Sequence, residues 1–177
     1  LFFFKYWDFI AGSLQGLGLN LLPVLGIHLP IGISFYTFQT MSYTIDVYRG
    51  DARAQRSILN FGTFVTLFPQ LIAGPIIKYK DLGDQIDQRT CSTEKFASGV
   101  QIFMVGMAKK LLLANNVGQL WDSYKAMDPA GLTVAGAWLG VLAFSLQIYF
   151  DFSGYSDMAT GLGRMLGFEF LPNFNYP

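Results

Sequence analysis

The 177-residue chain is 52% hydrophobic, only 14% charged and formally neutral, with 12 basic and 12 acidic side chains. About a quarter of residues are charged in soluble proteins, so the apolar excess must face something other than water. Neutrality removes the electrostatic footprint of a nucleic-acid binder, and one cysteine (Cys91) with one histidine (His28) argues against a disulfide framework or a metal site.

The opening stretch holds Lys5 and Asp8 and has no small-residue cleavage pattern, so it reads as the tail of a membrane segment rather than a signal peptide. Leu1 and the turn-rich run closing at Pro177 read as cuts within a longer chain. From Phe9 to Ile45 no residue is formally charged, too long for one crossing of roughly 20 residues. Pro23, Gly26 and Pro30 divide it, because proline removes a donor and clashes with the preceding turn. One helix is expected to end near Leu22 and a second to run from Leu29 to Tyr48.

A loop with Arg49, Asp51, Arg53 and Arg56 follows, and Ser57 to Ile77 is again uncharged. Pro69, Gly74 and Pro75 interrupt this stretch and free carbonyls that hydrocarbon cannot satisfy. Such backbone survives at membrane depth where protein buries it or where it lines a wet cavity; the alternative is a proline-kinked crossing. Basic residues on both sides, Arg49, Arg53 and Arg56 before and Lys78, Lys80, Arg89 and Lys95 after, favour a segment that re-enters on the cytoplasmic side.

Phe96 to Ala108 is short for a span, and Lys109-Lys110 reads as an anchor at the membrane border. Leu113, Val117, Leu120, Trp121 and Tyr124 then share one helical face, the pattern of an amphipathic helix at the surface. Pro129 to Phe150 is the cleanest span, about 33 Å of helix, and Gly131, Gly136 and Gly140 offer a neighbour a close approach. A short amphipathic helix is expected after Asp151, ending at Gly167 and Pro172.

Carboxylates beside a membrane are costly, which singles out Asp46, Asp151 and Asp157. Asp151 and Asp157 stand six residues apart, about 240° around a helix, so they do not form an acid–base pair on one face. Asp151 can meet Tyr155, and Ser153 can meet Asp157; equally, Asp151 or Ser153 can cap a helix. His28 has no Ser, Cys or Asp partner at a defined spacing and reads as a backbone-satisfying residue. Gly161-Leu162-Gly163 lacks the third glycine of a dinucleotide loop and reads as helix packing.

The runs Leu29 to Gln39, Ile45 to Gly50, Phe68 to Pro75, Gly106 to Asn115 and Tyr149 to Ala159, with Leu166-Gly167-Phe168 and Pro172 to Pro177, together resemble the membrane-bound O-acyltransferase family in its alginate O-acetylase branch. The resemblance implies an all-α, polytopic transmembrane helix bundle with re-entrant and interfacial amphipathic helices, of which residues 1–177 are a fragment of a single domain. It implies transfer of an acyl group, an acetyl in this branch, from an acyl-CoA-type thioester co-substrate, with no bound cofactor, toward hydroxyls of an extracytoplasmic polysaccharide such as alginate. The family's essential histidine lies in a Trp-His motif expected after Pro177. No residue here matches it, and the fragment alone is expected to be inactive.

Gln70, Gly74, Pro75, Asp151, Tyr155, Ser156, Asp157, Asn173 and Asn175 are the expected pocket lining. The bacterial cytoplasmic membrane is the expected location, with multiple passes and extracytoplasmic acetyl-transfer proteins as partners. A D-alanyl or peptidoglycan acyl-transfer protein remains open within the family. A transporter would share the broken helices, but the inverted repeat it needs is not found.

Overall fold

The computed structural model describes residues 2–30, 32–70, 77–128 and 131–174, and every regular element among them is a helix. In chain order these are α1 (Phe2–Gly16), α2 (Ile33–Arg49), α3 (Ile58–Thr66), a single tight turn at Phe68–Gln70, α4 (Tyr79–Gln88), α5 (Thr93–Ala108), a π-helical stretch (Lys109–Ala114), α6 (Asn115–Lys125) and α7 (Val134–Met165).

The first break falls earlier than the prolines suggest. α1 ends at Gly16, and Gly18 and Gly26 adopt left-handed backbone in the irregular strap that follows. Side chains of α1 hold this strap: Asp8 accepts from the Leu25 and Ile27 amides at 2.9 and 3.0 Å. Trp7 Nε1 and Gln15 Nε2 donate to the carbonyls of Pro23 and Leu22, at 3.1 Å each. Backbone groups that no helix satisfies are thereby paired. α2 begins at Ile33 rather than Leu29, after Gly32 in left-handed geometry, and Gly50 ends it in the same conformation.

Ser57 caps α3 by accepting from the Asn60 amide. At nine residues α3 rises about 13 Å, far short of the roughly 30 Å of hydrocarbon. The amphipathic helix of this fold is α4, with Tyr79, Leu82 and Ile86 buried and Lys80, Asp84 and Gln88 turned outward. Those three buried residues form a core with Phe64, Ile77, Phe168 and Phe170, and Tyr43 and Phe61 pack against it. Tyr43 also accepts from the Gln55 amide and stacks edge-on to Tyr79, joining α2 to α4.

The larger differences lie in the second half. The stretch from Thr93 to Lys125 is one continuous helix of 33 residues, and α7 runs 32 residues without a break, both long and apolar enough to cross a membrane. The stripe Leu113–Tyr124 therefore does not lie apart on the membrane surface. Its members Trp121 and Tyr124 pack on α7: Trp121 against Phe144 at 4.9 Å between ring centroids, and Tyr124 against Gly136 and Gly140. A helix stripe records only that a face is covered, not by what. Likewise no helix starts after Asp151; neither Asp151 nor Ser153 is a cap, and α7 takes its cap from Thr133, which accepts from the Gly136 amide.

Glycines set the distance between these two long helices. α5 and α7 run antiparallel, with Gly99 beside Gly161 and Gly106 beside Gly154; a Cβ on Gly106 would stand 2.6 Å from the Gly154 carbonyl oxygen, and one on Gly99 2.7 Å from that of Gly161. Both pairs repeat at seven residues on each helix, keeping one seam facing the partner. Gly167 ends the final turn at φ +86°, and the chain turns back along α7, placing Phe170 over Gly163 and Phe174 edge-on to Tyr149 at 5.8 Å. At this turn Lys95 pairs with Glu169 at 3.1 Å, and its hydrogen bond and charge hold the Glu169 carboxyl below its ordinary value of 4.5. That support is present above pH 4.5 and fades as pH falls through the lowered value.

Gly154→Val, which forces a branched side chain against the backbone of α5, is expected to destabilise the bundle by about 1–3 kcal/mol or more. Exposed Val141→Leu should change little, and thermal unfolding of the detergent-purified parent protein compares the two.

Candidate functional site

Charges inside a bilayer are tolerated when they pair and face protein or water. α7 carries its acidic residues deep along its length. Asp151 lies 17 residues after Val134 and 14 before Met165, about 26 and 21 Å from the two ends. The whole helix is about 48 Å long, so any placement in which it covers a core of about 30 Å leaves Asp151 inside.

Its partner comes from the α5 side. Lys110 Nζ donates to Asp151 Oδ1, while Lys109 Nζ reaches Asp157 Oδ2 at 2.5 Å and Ser153 Oγ at 3.1 Å. The lysine pair is thus not an anchor for a membrane border; both ammonium groups are engaged by α7. Ser153 and Asp157 do come together, through Lys109, whereas Asp151 turns to Lys110 rather than Tyr155. The signal available in the sequence was two adjacent lysines within an otherwise apolar stretch and two carboxylates in another.

Lys109 and Lys110 stand three and four residues after Gly106, which faces α7, so both lie on that side of the helix. Beyond them residues Lys109–Ala114 form π turns, with the Asn115 amide donating to the Lys110 carbonyl five residues back. The extra residue so accommodated keeps Gly118, which would otherwise be turned away, against α7. π-Helix is rare, well under 1% of residues, and often marks functional positions.

One turn before Asp151, Gln147 abuts Gly118 of α6, where a Cβ would meet Gln147 Nε2 at 2.6 Å. Its Oε1 is buried and finds no partner among the described residues. Gln147, Asp151, Ser153 and Asp157 therefore place four polar side chains within about 15 Å of one helix, with Asp151 and Asp157 on opposite sides of Gly154, after a stretch where Trp138, Leu142 and Leu146 are exposed.

Of the expected lining residues, Asp151, Tyr155, Ser156 and Asp157 all lie on this part of α7, with Ser156 buried and Tyr155 half-buried. Asn173 is exposed on the returning segment, next to Phe174, which contacts Tyr149 two residues before Asp151. Gln70 closes the tight turn after α3. Gly74, Pro75 and Asn175 lie outside the described residues. The clefts of about 490 and 410 Å³ open elsewhere, beside Asp51, Arg53 and Lys80, and beside Asp81, Thr160 and Arg164. Among the described residues no group of three His, Cys, Asp or Glu side chains could hold a metal.

Residues 48–177 match the membrane-bound O-acyltransferase family as a whole. The chain belongs to that family. It is 50% identical over 99% of its length to a probable alginate O-acetylase of Azotobacter vinelandii, covering 36% of that protein. It is 32% identical over 99% of its length to a peptidoglycan O-acetyltransferase of Helicobacter pylori, and 25% identical over 83% to a teichoic acid D-alanyltransferase of Bacillus subtilis, covering 38% of each. The chain thus spans little more than a third of these curated relatives. Both the lysine pair and the Asp151–Asp157 run fall within the matched region of the O-acyltransferase family.

A carboxylate left alone at helix centre costs about 2.5–3.5 kcal/mol on insertion scales. Lys110→Met is expected to destabilise the protein by about that amount, and adding Asp151→Leu should restore most of it, because an apolar pair replaces an ion pair at little cost. Denaturation of the purified parent protein in graded dodecyl sulfate measures both.

Proposed function

We propose that the chain is part of a multipass bacterial inner-membrane O-acyltransferase that moves an acetyl group from a thioester donor toward hydroxyls of an extracytoplasmic polysaccharide, with residues 1–177 as part of one catalytic domain. The observation that carries this reading is the 50% identity over 99% of the chain to a probable alginate O-acetylase. The lower identities to the peptidoglycan and teichoic acid enzymes, 32% and 25%, favour acetyl over D-alanyl transfer and alginate as the first acceptor to try.

The chemistry required is transfer from sulfur to oxygen. An acceptor hydroxyl loses its proton to a base, its oxygen attacks the thioester carbonyl, and the thiolate leaves and is protonated. A histidine in sequence beyond Pro177 is the proposed base. The returning segment supports this assignment: Phe174 packs on Tyr149, so the chain near Asn173 runs beside α7 two residues before Asp151 rather than away from it. Asp151, Tyr155, Ser156 and Asp157 of α7, with Asn173 and Asn175 and with Gln70, Gly74 and Pro75 from the broken segment, would line the meeting place of donor and acceptor. Acetyl-transfer proteins outside the membrane are the proposed partners.

The parent gene, expressed in a host that makes alginate but lacks its own acetylase, is expected to restore base-labile acetyl esters on the polymer. Isotope from labelled acetyl thioester should appear in those esters. Polymer that stays unacetylated while the protein accumulates folded in the membrane would contradict the reading.

A further inference from the structure

The cleft of about 410 Å³ at the end of α7 has an unused set of hydrogen-bonding groups. Arg164 and Thr160 of α7 and Asp81 of α4 face it, and Phe168, Phe170 and Leu171 of the returning segment supply an apolar wall. All three polar residues are half-buried. Arg164 Nε is buried without an acceptor, and neither the Asp81 carboxylate nor the Thr160 hydroxyl has a partner among the described residues. A buried donor with no partner calls for an explanation, and an acceptor carried by a ligand supplies one.

Charge narrows the occupant. Lys95 pairs with Glu169 at 3.1 Å, and Gln85 holds the Glu169 backbone, so Arg164 and Asp81 are left and their charges cancel. A neutral chain that offers carbonyls to Arg164 and Thr160 and an N–H to Asp81 matches this lining, whereas Asp81 would repel a phosphate. Arg53, Lys80, Arg89 and Lys95 gather at the same end of the bundle, with Lys125 at the other. That bias makes this the cytoplasmic end, which soluble thioesters can reach.

The cleft is in line with the ion pair deeper in the helix. Ser153, Asp157, Thr160 and Arg164 recur at spacings of four, three and four, so they share one face of α7. Gly161 to one side of that face meets α5, and Gly163 to the other meets Phe170. The face therefore lies between α5 and the returning segment and leads to Lys109, which binds Asp157 and Ser153. Arg164 and Ser153 are about 16 Å apart along the helix. The two-amide arm of a pantetheine thioester has the backbone length of roughly four residues and extends to about 14 Å.

We propose that this cleft binds the amide arm of a pantetheine-type thioester, with Arg164 and Thr160 donating to its carbonyls, Asp81 accepting from an amide N–H, and the acyl end directed along α7 toward Ser153 and Asp157. That the bound thioester is the acyl donor rests on the acyl-transfer reading above; the binding site does not.

Equilibrium dialysis of labelled pantetheine against the full-length parent protein in lipid nanodiscs reads the site without requiring turnover. Arg164→Met is expected to weaken binding about tenfold or more, and the near-isosteric Thr160→Val about fivefold with unchanged thermal unfolding. Lys80→Met, in the neighbouring cleft, should bind as the unaltered protein does, and inorganic phosphate at the same concentration should not compete. Unaltered affinity in both cleft variants, no binding by the unaltered protein, or displacement by phosphate overturns the site. Any of these alongside restored acetyl esters removes the site and leaves acyl transfer standing. Affinity that follows Arg164 and Thr160 in a protein that forms no esters leaves the site standing and removes the acyl-transfer reading.

Discussion

Two helices can bring charges together inside a bilayer only if their backbones come close enough for short side-chain links to close, and here glycine makes that approach. Where Gly106 faces Gly154, the carbonyl oxygens stand where a Cβ would otherwise be. Within the next turn Lys109 and Lys110 find Ser153, Asp157 and Asp151. The order of cause matters. In lipid there is no hydrophobic drive between helices, so small residues and van der Waals contact bring them together, and the polar pairs then fix register rather than supply affinity.

The rest of the chain is arranged around that seam. The apolar core of Phe64, Tyr79, Leu82, Ile86, Phe168 and Phe170 ties the short helices α3 and α4 to the turn after α7. The returning segment then lays Phe170 on Gly163 and Phe174 on Tyr149. At the other end, Asp8 holds an irregular strap whose amides would otherwise lack acceptors. In both places a polar or aromatic side chain stabilises backbone that cannot be helical, as a chain that keeps non-helical segments near lipid requires.

Much of this was legible in the sequence, and the failures have specific causes. Composition and uncharged runs gave the membrane class, and Pro23, Gly26 and Pro30 gave the broken region between α1 and α2, though its edges fell six residues early and four late. The small residues Gly136 and Gly140 do receive a neighbour, Tyr124. Charge, by contrast, misled. Lys109-Lys110 and Asp151 look like ends of spans because isolated charges usually stop a crossing; paired charges do not, and pairing between residues 41 and 48 positions apart leaves no mark in local periodicity. The π stretch is invisible for the same reason, since it answers a demand from α7. The Asp151–Asp157 run stands out in the sequence, while its lysine partners leave no sign there.

The account depends on the Lys110–Asp151 pair lying at hydrocarbon depth rather than in water beyond the bilayer. Phe152 is adjacent to Asp151 and 49% exposed, so a nitroxide placed there in the parent protein, reconstituted in lipid vesicles, reports the depth of that level. Its collision rate with dissolved oxygen should greatly exceed that with a water-soluble nickel chelate. The reverse ratio would put the charges outside the membrane and contradict the account.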